Sequence, residues 1–345
     1  MEKFTEILFE EMPGQNGNLG VITLNRPAVL NALSHPMFRA LKSQLTTWGS
    51  AENIKAVVIK ANGRAFCAGG DIRYAYERGR AGDKTLPEFF GDEYEVNRLI
   101  YNFEKPFIAL LDGLTMGGGA GISITGSHRV ATANFSFAMP EVSIGFYPDV
   151  GMGYFLSRMP YKIGFYMGLT GERITVEDAL ALELVDFVVD SNCLEAIVTK
   201  LAETELKDDA DVAEVLKYFA TPVGDSQLMA YDAEIQTCFS KNKMEEIFST
   251  LENYPSAWCE TVAAMINTKS PTSLKVTLRQ LLAYSRMPYD ECIKMDYFLT
   301  RNFLTEHDFF EGVRAVIIEK DQRPRWSPAK IKSVKDEDVE RFFEK

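Results

Sequence analysis

Apolar positions in the first half of the chain come in short runs separated by polar, glycine-rich stretches. "EILFEE" and "LGVITLN" flank "GQNGN", a pattern that predicts a β-hairpin with Asn16-Gly17 supplying the positive φ angles of its turn. Met37, Leu41, Leu45 and Trp48 then recur at helical spacing behind Ser34, a residue suited to capping the helix they predict. "AVVIK" (56–60), "FIALLDG" (107–113) and "LVDFVVD" (184–190) read as buried strands. Thr175 and Asp178 have the spacing of a capping box that starts one more helix. Residues 77–97 carry no strand signal and are expected to form a flap or a helix over a site.

From residue 191 onward the pattern changes. "KMEEIFSTLEN", "SAWCETVAAMIN", "PTSLKVTLRQLLAYSR", "YDECIKMDYFLTRNFL" and "HDFFEGVRAVIIEK" all repeat apolar residues with a helical period, and Pro271 fits the first turn of its helix behind Ser270. The expected organisation is a β/α core over 1–200 and a helical region over 201–345, with no fixed-period repeat and no low-complexity linker.

Composition narrows the function. A net formal charge of −12 argues against a nucleic-acid partner, because phosphate neutralisation needs a basic face. Five scattered cysteines (Cys67, Cys193, Cys238, Cys259, Cys292) without a CxxC pair suit free thiols and offer no zinc spacing. No apolar run approaches the ~20 residues of a membrane span, and the acidic N-terminus resembles neither a signal peptide nor a transit peptide. A cytoplasmic protein is expected, or a mitochondrial one if a presequence has been removed.

Two glycine clusters each follow a strand: "GRAFCAGGDIR" (63–73) and "DGLTMGGGAGISITG" (112–126). Such turns leave backbone N–H groups unpaired and let a ligand approach them closely, although they could equally be tight turns and no more. Neither fits a dinucleotide fingerprint or a P-loop, and Gly121, Ser123 and Gly126 miss a nucleophile elbow by one residue. His35, His128 and His307 sit where caps or packing explain them, and no metal-ligand spacing appears, so no catalytic metal is expected. Cys67 reads as a small buried thiol. In "FSFAMPEVSIGFYPDVGMGYFL", Glu141 and Asp149 each follow a proline in apolar surroundings, where a carboxylate is costly unless paired or put to use. Two amide-rich turns plus a desolvated carboxylate suit chemistry at a thioester or similar carbonyl. A salt-bridged structural Glu141 satisfies the spacing as well.

"NRPAVLNAL", "GRAFCAGGDI", "DGLTMGGGAGIS" and "FAMPEVSIGFYPDVGMGYFLSRMP", in that order over residues 5–190, resemble the landmarks of the crotonase (enoyl-CoA hydratase/isomerase) superfamily. The resemblance implies an α/β (α+β) fold, a spiral of ββα units with an extended helical C-terminal region, and an acyl-coenzyme A ligand. Its thioester oxygen would be held by the backbone N–H groups of Gly70 and Gly118. Hydratases of this kind carry two glutamates; here the second is Glu141, but the first position is Gly121, which places hydration in doubt. "FFGDEYEVN", the aspartate of "FYPDVGMGYFL" and the tail "HDFFEGVRAVIIEKDQRPRW" are similar instead to a branch of hydrolases acting on short 3-hydroxyacyl-CoA esters, 3-hydroxyisobutyryl-CoA foremost, in valine breakdown.

By that resemblance Glu141 is the principal catalytic carboxylate and Asp149 its partner, each kept out of a helix by its proline, while Glu93 and Gly118 contact the substrate. The backbone of Ala68, Asp71 and Ile72 would line the adenine pocket and Arg26 would meet a CoA phosphate. CoA is then part of the substrate and a product, and no retained cofactor is expected. A homo-oligomer is compatible with the family, although the helical tail could replace such contacts. Two alternatives stand beside this reading. One is a hydratase or isomerase working with a single glutamate. The other is a non-catalytic acyl-CoA-binding or RNA-binding relative, against which the acidic balance and the two carboxylates both speak.

Overall fold

The computed structural model describes residues 5–344. Two compact units interleave along the chain. The first gathers residues up to Asp71, Glu95–Phe137 and Ile174–Gln227; the second gathers Ile72–Tyr94, Ala138–Arg173 and the chain from Leu228 onward.

The first unit is built on a six-stranded sheet. Its strands are β1 (Ile7–Pro13), β2 (Asn18–Leu24), β3 (Ile54–Ala61), β5 (Phe107–Leu111), β7 (His128–Thr132) and β9 (Phe187–Val189), side by side in that order. β1 and β2 form an antiparallel hairpin running from Ile7 opposite Leu24 to Pro13 opposite Asn18, and every later neighbour is parallel. Parallel strands are covered on both faces, which is why "AVVIK" and "FIALL" are continuous apolar runs. On one face Leu19, Val21, Val58, Leu110 and Val130 pack on Val198 and Leu201 of the helix Leu194–Ala202 and on Val212 and Leu216 of Asp209–Phe219. On the other, Gly20 leaves room for the Trp48 ring of the helix His35–Ser50: a Cβ there would lie 2.8 Å from it. A smaller sheet pairs β4 (Ala65–Cys67), β6 (Leu114–Met116) and β8 (Ser136–Ala138); β4 and β6 lead into the glycine turns and β8 into the segment that carries Glu141.

Several local expectations hold. Thr175 and Asp178 form the capping box of Val176–Ala181, and the Ser270 hydroxyl accepts from the Ser273 N–H at the start of Pro271–Tyr284. Others are corrected. Only Gly17 of the hairpin pair has positive φ, at 149°. Ser34 stands at the N-cap position but makes no capping bond; its hydroxyl donates to Glu6 at 2.6 Å, a tertiary partner winning over the local one. The strand expected over 184–190 is limited to Phe187–Val189. Residues 77–97 form the end of the helix Ile72–Arg80 and most of Leu86–Tyr101.

The second unit is mainly helical, and no strand follows Val189 among the described residues. Pro271–Tyr284 is buried nearly all round, including Ser273, Thr277 and Gln280. An aromatic cluster of Phe90, Phe146, Tyr147, Phe303 and Phe309 surrounds the turn that follows Glu141, with centroids 4.8–5.9 Å apart from that of Phe146. That turn closes through Gly145, at φ 71°, where a Cβ would fall 2.0 Å from the Asp308 carbonyl oxygen. Among the described residues no helix is long and apolar enough to cross a membrane.

Candidate active site

Three carboxylates of the second unit are buried together with no cation beside them among the described residues. Glu93 is 2% exposed, Asp149 5% and Glu141 7%, so each has left water for the protein interior. Burial pushes the Glu93 carboxyl well above the ordinary range, and the charges of Asp149 and Glu141 push it further. Glu141 is raised by burial and by Asp149. Asp149 is raised by burial to about 7, although a hydrogen bond from Tyr94 pulls it down. Among the described residues, one Glu141 oxygen, Oε2, is buried without a hydrogen-bond partner. Buried carboxyls that no cation neutralises are expensive for stability, and such a cluster is a candidate for a reacting site.

Different elements deliver these groups. Glu93 projects from Leu86–Tyr101. Glu141 is the first residue of a single 3-10 turn, Glu141–Ile144, so Pro140 places it at a helical start rather than keeping it out of a helix. The turn is anchored: Ser270 N–H donates to the Val142 carbonyl at 3.3 Å and Lys269 Nζ to the Ser143 hydroxyl at 2.9 Å. Asp149 lies in the irregular segment after Pro148, and a fourth buried carboxylate, Asp296, holds that segment. Gly151 N–H donates to Asp296 Oδ2 at 2.9 Å and the Tyr284 hydroxyl to Oδ1 at 2.6 Å. Gln280 Nε2 donates both to Oδ1 (3.2 Å) and to the Pro148 carbonyl (2.8 Å). Burial raises Asp296 to about 8, with the Asp149 charge adding to the effect.

The glycine turns belong to the first unit. Leu33 bridges to Gly70, its N–H donating to the Gly69 carbonyl while Asp71 N–H donates back to the Leu33 carbonyl. That pattern leaves the Gly70 N–H outside the bridge, with no backbone acceptor among the described residues. Gly118 opens the short helix Gly118–Gly121, so its N–H has no intrahelical acceptor. A Cβ on Gly69, at φ 112°, would lie 3.6 Å from the Gly118 nitrogen, which brings the two amide turns together. Asn31, itself at φ 55°, braces the neighbouring loop by donating to the carbonyls of Asn62 and Ala65, both at 2.9 Å.

Of the residues expected at a CoA site, Arg26 pairs with Glu6 at 3.0 Å and Asp71 at 3.4 Å and donates to the Ala32 carbonyl. The Ala68 N–H is committed to the Leu30 carbonyl, and Ile72 begins Ile72–Arg80. Gly121 is buried in its helix and brings no carboxylate. Cys67 is buried, and His128 contacts Ser127 and the Asp209 carbonyl. Among the described residues no group of three or more His, Cys, Asp or Glu is arranged to hold a metal. Sequence reasoning missed Tyr94, Tyr147, Asp296 and Thr300. A usable signal existed for Asp296, which falls on the apolar stripe Tyr289, Cys292, Ile293, Leu299, Phe303 of its helix.

Comparison with known proteins identifies the family. The chain is 42% identical to the mitochondrial 3-hydroxyisobutyryl-CoA hydrolase of Rattus norvegicus and 41% identical to that of Homo sapiens, in both cases over 99% of this chain and 90% of the relative. Among solved structures, a carnitinyl-CoA dehydratase from Mycobacterium thermoresistibile superposes with a TM-score of 0.90 at 31% identity, covering 99% of this chain and 96% of the other. An enoyl-CoA hydratase from Rhodobacter sphaeroides 2.4.1 does so with 0.88 at 33%, over 98% and 97%. The family model for enoyl-CoA hydratase/isomerase matches residues 19–343, nearly the whole chain, and the protein belongs to that family.

Proposed function

We propose that the protein hydrolyses a short 3-hydroxyacyl-CoA thioester, 3-hydroxyisobutyryl-CoA, to the free acid and CoA, a step of valine breakdown. The observation that carries this reading is the cationless set Glu93, Glu141 and Asp149, with one Glu141 oxygen buried and unpartnered. The identity to hydrolases over almost the whole chain supports it.

In this mechanism Glu141 is the attacking or base group. As nucleophile it bonds to the thioester carbon, the C–S pair leaves with CoA, and water then cleaves the resulting anhydride. As base it takes a proton from the water that attacks directly. Asp149 orients water or the substrate hydroxyl, and Glu93 contacts the acyl portion. The N–H groups of Gly70 and Gly118 hold the thioester oxygen as negative charge develops on it. CoA is held along the backbone of Ala68, Asp71 and Ile72; Arg26 meets a phosphate only by giving up part of its pairing with Glu6 and Asp71. No retained cofactor is needed. The site of action in this reading is the cytoplasm, or mitochondria as in the names of the relatives, which cell fractionation distinguishes.

A thiol-release assay on 3-hydroxyisobutyryl-CoA, run beside an absorbance assay for hydration of an enoyl-CoA, tests the reading. Rapid hydration without thiol release favours the second reading, a single-glutamate hydratase or isomerase, for which the two high-scoring structural relatives speak. Single turnover in heavy-oxygen water bears on the two hydrolytic routes: label in the Glu141 carboxyl requires an anhydride that water opens at its Glu141 carbonyl, and direct hydrolysis never places it there.

A further inference from the structure

Asp149 does not stand alone at the end of its hydrogen bond. The Tyr94 hydroxyl lies 2.6 Å from Asp149 Oδ2 and 2.5 Å from the Thr300 hydroxyl. Thr300 in turn lies 2.8 Å from the Tyr147 hydroxyl, which donates to the Asp296 main-chain carbonyl at 2.6 Å. All four residues are buried, so bulk water does not complete the set. This row has four links and three hydroxyl protons. With Asp149 ionised, Tyr94 donates to it, Thr300 donates to Tyr94 and Tyr147 donates to the carbonyl; the Thr300–Tyr147 contact is then left without a proton. With Asp149 protonated, the Tyr94 and Thr300 hydroxyls turn round and all four links are filled.

We infer that Thr300 and Tyr147, acting through Tyr94, are positioning residues that keep a proton on Asp149, making Asp149 the acid that protonates the departing CoA sulfur. The inference rests on the thioester reading above. As the C–S bond breaks, sulfur takes the electron pair and the Asp149 proton, giving the CoA thiol and an Asp149 carboxylate. Water supplies the balancing proton, which Asp149 takes up directly when water opens the anhydride, or by way of Glu141 when Glu141 is the base, so the cycle closes without another reactant. The other titratable groups facing Asp149 are Glu93 and Tyr94 from one helix, Glu141 from its turn, Tyr147 from its own segment, and Asp296 from the helix that carries Thr300. None is a cation, and burial already holds Asp149 toward the protonated form.

Thr300→Val keeps the shape and removes the hydroxyl. The ionised form then loses one link and the protonated form two, so the alkaline limb of kcat/KM should move down by roughly half to one pH unit. Thr300→Ser should restore the parental limb. A folded Val variant with an unmoved limb overturns the inference. If Val prevents folding, Tyr147→Phe is the substitute; it must move the limb in the same direction, and an unmoved limb again overturns the idea. Infrared titration of the Asp149 carboxyl, as the difference between the parent and Asp149→Asn, needs no turnover. If the parent releases no thiol but this titration shifts in Thr300→Val, the function is wrong and the hydroxyl row stands. Thiol release with no shift leaves the hydrolysis standing and removes the row.

Discussion

Glu141 is a side chain whose chemistry is set by what it lacks. Among the described residues it has no cation beside it, and one of its oxygens has no donor. Glu141→Gln keeps its size and should lower kcat by about 10²–10⁴, the range for a positioned acid–base group. Thiol release measured on protein with parental circular dichroism checks this, and near-parental turnover would make Glu141 structural. The raised carboxyls also predict where activity falls off with pH. An ordinary carboxylate gives up its proton near pH 4, whereas Asp149 retains one up to about 7. The kcat/KM profile should therefore be bell-shaped with its alkaline limb near 7, the limbs belonging to the coupled set rather than to single residues. A flat profile between about pH 5 and 9 would exclude an acid role for the cluster. Glu141 and Asp149 were legible because a charge in an apolar stretch is conspicuous. Thr300 and Tyr94 were not, because a hydroxyl or a tyrosine in a helix carries no such signal.

At the scale of elements, the amide turns separate a backbone role from a side-chain one. Gly118 is the first residue of its short helix, a position where proline fits the backbone and costs no intrahelical bond. Gly118→Pro removes the N–H itself, and the loss of one oxyanion donor should lower kcat by about 10²–10³ while free CoA still binds. Kinetics and calorimetric CoA titration of the folded variant decide the point; turnover close to that of the parent would leave catalysis to the carboxylates and their neighbours. Most elements could be read from period and cap residues, as with Met37, Leu41, Leu45 and Trp48 or the Thr175–Asp178 box. Ser34 could not, because a hydroxyl chooses between a local N–H and a distant carboxylate only once Glu6 is beside it.

For the molecule as a whole, the buried acids make stability depend on pH in the direction opposite to a salt-bridged carboxylate. Asp149 and Asp296 hold their protons to about 7 and about 8, while an unfolded chain releases them near 3.8. Between those values the folded state binds more protons. Their contribution is therefore complete below the unfolded value and is lost as pH rises through the folded ones. The melting temperature should fall from about pH 5 to about pH 8.5, and less steeply in Asp296→Asn; equal slopes would remove Asp296 as a cause. The sequence by itself determined the strands of the parallel sheet, the later helices, the two glycine turns and two of the acids, because local period, turn chemistry and misplaced charge are all written in neighbouring residues. Tertiary structure alone decided that Glu93, Glu141 and Asp149 share one uncompensated environment, that Asp296 holds the Asp149 segment, and that three hydroxyls line up behind it. Burial and hydrogen-bond partnership arise between positions far apart in the chain, and no local pattern encodes the meeting of Tyr94 with Thr300 across 206 positions.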